Sequence, residues 1–599
     1  MSSNFLSHLP LEILQGIAKE VCCPGSTLLY SLTSHRNKLP IEDLRSLSSV
    51  SKSIRHGIKP VLFYSAAIDI FPTSSAEGEP YFSTAEVPGS LPGHLHRLTF
   101  QNSSHEECVH ELLIRGAEDP ERWEEITCCS LRMNELGHRV LKTLKNLQAE
   151  QLHSFRYGRL WRLGLCVPNE VFGVNGILQR NHGSSIRHLE LVTQLICNGA
   201  RCIDINLSAF DHLRSLTWQA PNAAYMHALA EVVRINAPHL QKLELDFVDW
   251  EELKDGIGYD QEDTIESGGD YFANHILRLN LNRQPSPFLG NIQVLSLCHV
   301  PLTSTVAHHI NTFTLRSLSI RKCWGCEIFF NALTTAKPGI SLRAFEFQGC
   351  WGTHYSPFAP LSCINSFLGT FHGLYELVLC FCGKVDAVGL WENIAKTHTG
   401  IRRLIVQEYG LETEFEEPYD YSLPFNRRQG RGAEVSHEDA QSVAGEGGVL
   451  STPLASLPLE FLGVCSDFES PVDISDSLPT HWPRLKMIHF RFTVGQIERS
   501  EAPWHLPAWN RKLSSFLKKV FGRDGHPCLE AVAFGDVAAD KNTRIYYRNR
   551  GGQGKPVQNY PTNSEQKDLV RKYERVLAAC PTGSTISSTE MSLLSHFGF

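Results

Sequence analysis

The sequence predicts an α/β fold, in which a small N-terminal helical module precedes a solenoid with a curved parallel sheet and outer helices. Three observations support this prediction. A hexapeptide with apolar residues at its first, fourth and sixth positions recurs along most of the chain. Segments with helical periodicity lie between its copies, and two amphipathic helical segments come before them. Such a period is the signature of stacked repeats.

The repeated hexapeptide is clearest in the middle of the chain. It reads LRSLSI from Leu315 and LRAFEF from Leu342. Between Ile186 and Ile401, neighbouring copies start 23 to 32 residues apart, except for one step of 52 residues. That long step predicts one degenerate unit around Ile276. The other copies begin at Leu95, Leu152, Leu213, Leu240, Ile292, Leu374, Leu459, Leu485 and Leu529.

Each copy is expected to form a short strand, because alternation with a period of two puts its apolar residues on one face. Helical patterns follow several copies, in residues 223–240, 328–339 and 387–400. Parallel strands require crossovers of this kind. Each unit is therefore predicted to contain a strand, a turn and a returning helix.

The N-terminal segment carries a motif in three parts. The first part is Leu9-Pro10-x-Glu12-Ile13-Leu14-x-x-Ile17, the second is Asp43-Leu44-x-x-Leu47-x-x-Val50-Ser51-Lys52-x-x-Arg55, and the third is Pro60-x-Leu62-Phe63. This order, over residues 6–64, resembles an F-box. Two features depart from the family: the connection from Cys22 to Pro40 is longer than usual, and Ile54 stands where tryptophan is common.

The F-box resemblance implies a Skp-type adaptor as the partner and, through it, a cullin. An apolar hairpin of this size needs a partner or a neighbouring domain to cover it. The alternative is that the hairpin packs on the first repeat and recruits no ligase. The adaptor-binding residues that the resemblance implies are Leu9, Pro10, Ile13, Leu14, Ile17, Leu44, Leu47 and Val50.

A strand and a helix in each unit resemble the leucine-rich repeats, over residues 95–408 and again after an interruption. Cys323 lies three residues after the last apolar residue of its hexapeptide, and Cys350 and Cys382 occupy the same position. That family has Asn or Cys at this position. We therefore expect Cys323 and Cys326 to be structural, since no second ligand pair with zinc spacing follows them.

The sequence divides into six parts. Residues 72–94 are rich in Pro, Gly, Ser and Thr, and residues 409–452 are acidic and Gly-rich, so both are expected to be flexible. SEQKDLVRKYERVL, residues 564–577, predicts a helix. The parts are an F-box-like module (1–71), a linker (72–94), the repeat array (95–408), an insertion (409–452), the continued array (453–535), and a C-terminal cap and tail (536–599).

Strand residues that alternate with the core are expected to form a protein-binding face, as in other solenoids. This face mixes small and polar side chains without one dominant sign of charge. The alternative for each single residue is simple solvation. The candidates for contact with a target protein are His188, Glu190, Ser215, Thr217, Lys242, Glu244, Ser317, Ser319, Arg321, Glu346 and Glu376.

Composition and motifs exclude several classes of function. The 599 residues carry a net charge of −8, so no general attraction to nucleic acid is expected, and the basic stretch 541–555 is predicted to be a surface loop. No apolar run of 18 residues predicts a membrane span. No motif predicts catalysis, a cofactor or a metal site. Without a secretory signal, we expect cytoplasmic or nuclear thiols.

These observations lead to one expected function and one rival. The two resemblances together imply a substrate-recognition subunit of a cullin–RING ubiquitin ligase, in which the array binds an unidentified target protein. The rival is a non-catalytic repeat scaffold for protein–protein interaction that recruits no ligase.

Overall fold

The computed structural model divides the chain into two compact units, Met1–Thr314 with Thr585–Phe599 and Leu315–Ser584. Both units contain parallel strands with intervening helices, an α/β arrangement compatible with a repeat solenoid. The structure describes residues 65–69, 96–101, 138, 140–158, 168–193, 205–248, 250, 253, 270–279, 287–335, 339–349, 359–382, 388–409, 453–465, 482–491, 507–522, 525–536, 541–548, 557–558 and 564–579.

In the first unit, each strand pairs in parallel with the next strand along the chain. The strands are β1 (Ser65–Asp69), β2 (Arg97–Gln101), β3 (Ser154–Tyr157), β4 (His188–Val192), β5 (Ser215–Gln219), β6 (Lys242–Asp246) and β7 (Val294–Cys298). The helices are α1 (Asn169–Phe172), α2 (Ile177–His182), α3 (Met226–Asn236) and α4 (Ser304–His308), with a 3₁₀ turn at Ala223–Tyr225 and a π-helix at Phe272–Ile276.

Strands β2 to β7 each begin two residues after the start of a repeated hexapeptide, so the predicted strand positions are confirmed. The prediction of a degenerate unit around Ile276 is wrong. Strand β6 pairs directly with β7, and Ile276 ends the π-helix. No strand therefore lies between β6 and β7 in the sheet, and the long step is a longer connection between two neighbouring strands. Strand β1 is not anticipated by the hexapeptide pattern.

The core of the first unit follows the predicted alternation. Leu189 and Leu191 of β4 are buried, and Leu216 and Trp218 of β5 pair with them in register. The buried side chain of Asn236, at the end of α3, connects neighbouring repeats through hydrogen bonds to the backbone. It accepts a hydrogen bond from the backbone N–H of Leu213 and donates to the carbonyls of Phe210 and Val232.

In the second unit, β8 to β14 continue the repeat pattern, and β8 to β14 pair in parallel in chain order. Strands β15 and β16 then pair antiparallel. The strands are β8 (Ser317–Arg321), β9 (Ala344–Gln348), β10 (Glu376–Cys382), β11 (Arg403–Tyr409), β12 (Phe461–Cys465), β13 (Met487–Arg491), β14 (Ala531–Asp536), β15 (Lys541–Tyr547) and β16 (Val557–Gln558). The helices are α5 (Cys326–Thr335), α6 (Ala359–Leu368), α7 (Val388–Thr397), α8 (Pro507–Phe521) and α9 (Ser564–Leu577), with a 3₁₀ turn at Pro453–Ser456.

Aromatic rings fill the space between strands and helices in the second unit. The ring of Phe330 on α5 packs against Phe345 and Phe347 of β9 and against Phe367 of α6, at centroid distances of 5.1 to 5.9 Å. Helices of successive repeats are therefore held to the sheet by one continuous apolar layer.

Two further predictions can be compared with the C-terminal part. Helix α9 has the predicted bounds. The prediction of a surface loop over residues 541–555 is wrong for its first half, because residues 541–547 form β15 and bury Tyr546 and Tyr547 against the end of the sheet. Residues 1–64, 72–94 and 410–452, which include nearly all of the F-box-like module, the linker and the insertion, lie outside the described residues.

Candidate functional site

The first unit presents a polar sheet face opposite its core, here called the first-unit face. Strand register places its side chains in rows that cross the strands. His188 is exposed, and the other members are half-buried, whereas the residues between them are fully buried. The described members of the face are Arg97, Ser154, Arg156, His188, Glu190, Ser215, Thr217, Lys242, Glu244 and Asp246.

Four charged residues of the first-unit face form two ion pairs. The Arg156 guanidinium lies 2.5 Å from a carboxylate oxygen of Glu190, and the Lys242 ammonium lies 2.8 Å from one of Glu244. The Thr217 hydroxyl donates to the same Glu244 carboxylate at 3.0 Å. The face therefore offers alternating charges and hydroxyls.

The pKa values of two groups on this face depart from their ordinary values. Although part of the His188 residue remains exposed, desolvation of its ring, followed by repulsion from Arg97 and Lys242, lowers the pKa of His188 to about 4, so its imidazole is neutral at pH 7. Desolvation raises the pKa of Glu190, against the opposing effect of Arg156.

The corresponding face of the second unit, here called the second-unit face, is covered. Both sides of β9 and β13 are buried along their whole length. Among the predicted target contacts, Ser317, Ser319, Glu346 and Glu376 are all buried, and Arg321 is half-buried. The cover includes α9, whose Leu569, Tyr573, Val576 and Leu577 join a cluster with face residues of β10 to β15.

Tyr573 is the central apolar contact of α9. Its ring centroid lies 5.4 Å from that of Phe461, and the Arg403 guanidinium lies 5.3 Å from the ring centre. The side chain is completely buried. Burial raises the pKa of the Tyr573 hydroxyl, so the phenol stays neutral.

Ion pairs fasten the same helix at two places. Arg575 lies 2.9 Å from Glu376, donates to the Ser317 hydroxyl at 2.7 Å, and shares Glu376 with Arg403. One turn earlier, Lys572 lies 2.7 Å from Glu460, which also pairs with Arg402.

Glu460 remains ionised under this pairing. Desolvation alone would raise the pKa of its carboxyl group, but hydrogen bonds from Lys572 and Arg402 outweigh it and lower the pKa to about 2. The polar side chains of the second-unit face are thus used to hold a segment of the same chain.

Other predicted contacts of the second unit pair among themselves. The Glu346 carboxylate accepts two hydrogen bonds from Arg321, at 2.8 and 2.9 Å, and one from the Ser319 hydroxyl at 2.9 Å. Such a bidentate pair fixes both side chains. The structure therefore brings Ser319, Arg321 and Glu346 together, whereas the sequence pattern predicts only that they share one face.

Sequence analysis did not predict Tyr573 and Arg575 of α9, which cover this face. It also did not predict Arg403 and Glu460, which contact α9 from the sheet. One signal was available. Leu569, Tyr573 and Val576 are spaced four and three residues apart, which marks an apolar helix face that needs a partner. The eight predicted adaptor contacts, Leu9, Pro10, Ile13, Leu14, Ile17, Leu44, Leu47 and Val50, lie outside the described residues.

Cys323 and Cys326 occupy structural positions. The Cys323 thiol is buried and lies 3.3 Å from the carbonyl oxygen of Arg321, to which it donates at the end of β8. Cys326 is buried at the start of α5. Both positions are consistent with packing at the turn between strand and helix.

Comparison with known proteins gives no assignment: no protein-family model and no curated protein matches the chain. Within the part of the chain that the structure describes, no helix combines the length and the apolar character needed to span a membrane.

Proposed function

We propose that this protein is a substrate-recognition subunit of a cullin–RING ubiquitin ligase. In this proposal, the N-terminal F-box-like module binds a Skp-type adaptor, and the leucine-rich-repeat-like array binds the target protein. The observation that carries the proposal is the order of three motif parts, Leu9-Pro10-x-Glu12-Ile13, Leu47-x-x-Val50-Ser51-Lys52 and Pro60-x-Leu62-Phe63, ahead of a strand–helix array.

The first-unit face supports a recognition role. His188, Glu190, Thr217, Lys242 and Glu244 combine partial exposure with internal charge pairing. A partner that supplies complementary charges can exchange these pairs for intermolecular ones, which favours specificity over raw affinity. We therefore assign the target contacts to His188, Glu190, Ser215, Thr217, Lys242 and Glu244.

The second-unit residues receive a different assignment. Ser317 and Glu376 bind Arg575 of α9, and Ser319 and Arg321 bind Glu346. A target protein would have to displace these contacts before reaching the sheet. We propose that the five predicted target contacts of this unit serve mainly to hold α9 and the face around it.

Binding to a purified Skp-type adaptor tests the ligase half of the proposal. Simultaneous Leu9→Ala, Pro10→Ala and Ile13→Ala substitutions should abolish adaptor binding in a pull-down, while the melting of the repeat array stays unchanged. The absence of binding by the wild-type chain would favour the rival, a repeat scaffold that recruits no ligase.

Charge reversal tests the recognition half. Target proteins cross-linked to the full chain should be lost when Lys242→Glu and Glu190→Arg are combined, with adaptor binding retained. Arg234→Glu, an exposed change on α3, is the matched control and should leave the cross-linked set unchanged. Equal loss with the control would exclude the first-unit face as the target surface.

A further inference from the structure

Three side chains that can bind a metal meet at the ends of β6 and β7 in the first unit. The Cys298 sulfur lies 3.4 Å from Nδ1 of His299, and that nitrogen lies 3.5 Å from Oδ1 of Asp246. All three donor atoms lie within 4.8 Å of one another. None of the three residues is among the target contacts assigned above.

Backbone geometry explains how two consecutive residues reach the same point. In a regular strand, Cys298 and His299 would point to opposite faces of the sheet. His299 has a φ of 54°, in the left-handed region, and this turn breaks the alternation. Asp246 is the register partner of Cys298 on the neighbouring strand, so its carboxylate faces the thiol.

The same left-handed turn occurs at matched positions of other repeats, where it carries different residues. Ala220 follows Gln219 at the end of β5, with a φ of 52°, and Lys322 follows Arg321 at the end of β8, with a φ of 48°. Those pairs supply neither an imidazole nor a thiol. The Cys-His pair, placed opposite an aspartate, is therefore a local addition to the repeat.

The distances suit a tetrahedral ion. With bonds of about 2.3 Å to sulfur and 2.0–2.1 Å to nitrogen or oxygen, tetrahedral ligand atoms lie roughly 3.3 to 3.6 Å apart. The Sγ–Nδ1 distance of 3.4 Å and the Nδ1–Oδ1 distance of 3.5 Å fall in this interval, and the sulfur and the carboxylate lie within 4.8 Å of each other. A thiolate, an imidazole and a carboxylate are a donor set that favours zinc over magnesium or calcium.

The surroundings orient the ligands and limit access. The Asp246 carboxylate accepts a hydrogen bond from the backbone N–H of Val248 at 2.9 Å, which orients a ligand as outer-shell contacts do in metal sites. Cys298 is buried, while the His299 and Asp246 side chains keep 14% and 20% of their surface exposed. An ion can therefore enter from solvent and still bind a sulfur that is shielded from water.

We propose that Asp246, Cys298 and His299 form a zinc site at the edge of the first-unit face, with water in the fourth coordination position. The sequence alone does not reveal it, because Asp246 and Cys298 are 52 residues apart and only strand pairing brings them together. The Cys323-x-x-Cys326 pair, which has the more familiar spacing, is not part of this site.

Metal titration of the purified full-length chain tests the proposal. After chelator treatment and dialysis, the wild type should take up one Zn²⁺, and Co²⁺ in its place should give a thiolate-to-cobalt charge-transfer band. Cys298→Ser and His299→Ala should each weaken zinc binding by about 10-fold or more, and Cys298→Ser should abolish the band. Cys326→Ser is the matched control and should retain both.

Two results would overturn the proposal: no zinc uptake by the wild type, or undiminished uptake by Cys298→Ser and His299→Ala. Zinc loss in Cys326→Ser alone would assign the metal to the other cysteine pair. If the Cys298 variant does not fold, Asp246→Asn tests the zinc site instead, because the side chain keeps nearly the same shape. It should weaken zinc binding by at least about 10-fold while the circular dichroism spectrum stays that of the wild type.

Discussion

Replacing Tyr573 by alanine should detach α9 from the second-unit face. The substitution removes a fully buried ring that contacts Phe461 and lies beneath the Arg403 guanidinium. Truncation of a buried large aromatic residue to alanine costs about 3–5 kcal/mol. The weak contact from the hydroxyl to Glu460, at 3.4 Å, adds little to this figure. We therefore expect a loss of about 3–5 kcal/mol in the stability of the α9–sheet contact.

Lys572→Ala provides the matched control on the neighbouring residue of the same helix. Its ammonium pairs with Glu460 but is 39% exposed, so its removal should cost at most about 1 kcal/mol. Hydrogen exchange of β10 to β13 and urea unfolding measure the two changes. Tyr573→Ala should accelerate exchange in these strands and shift the unfolding midpoint, and Lys572→Ala should change both by much less. Equal small effects would refute the packing argument.

Three further predictions concern stability. Glu376→Ala should cost about 3–5 kcal/mol in urea unfolding, since it leaves two cations without their shared carboxylate. Arg575→Ala should cost clearly less, because Arg403 still pairs with Glu376; the reverse order would contradict this. Asn236→Ala should lower stability by about 3 kcal/mol by leaving the buried Leu213 N–H and Phe210 carbonyl unpaired, and an effect below 1 kcal/mol would contradict the hydrogen-bond assignment. Burial lowers the pKa of His182 to about 4, so the stability present at neutral pH should fall between about pH 6.5 and pH 4, because the unfolded chain binds the proton there. His182→Leu should flatten the Tm-versus-pH curve in this interval. An unchanged curve would exclude His182 as the source of the pH dependence.

Strand positions were predictable because each repeat carries its own local pattern. The apolar residues of LRSLSI alternate with polar ones, so the strand Ser317–Arg321 follows from six letters. Strand β1 lacks such a pattern. Helix α8 lies in the unusually long step between the copies at Leu485 and Leu529. The extended crossover before β7 was mistaken for an extra unit, since residue spacing alone cannot distinguish a missing strand from a long connection.

The sequence predicts which side of the sheet the candidate residues occupy, but not whether that side is exposed to solvent. Alternation correctly placed Ser317, Glu346 and Glu376 opposite the apolar core. Ser317 and Glu376 bind Arg575 of α9, which lies about 200 or more residues later in the sequence and has no counterpart in the repeat. Contacts between distant segments require the fold itself, and the Asp246–Cys298 pairing was missed for the same reason.

Co-elution of the full-length chain with a purified Skp-type adaptor and a cullin N-terminal domain tests the central claim most directly. We expect a stable ternary complex with the wild type. With Leu9→Ala, Pro10→Ala and Ile13→Ala combined, we expect the chain to elute alone while keeping the wild-type melting profile. Separate elution of the wild-type chain from the adaptor at micromolar concentrations would contradict the assignment to a ubiquitin ligase.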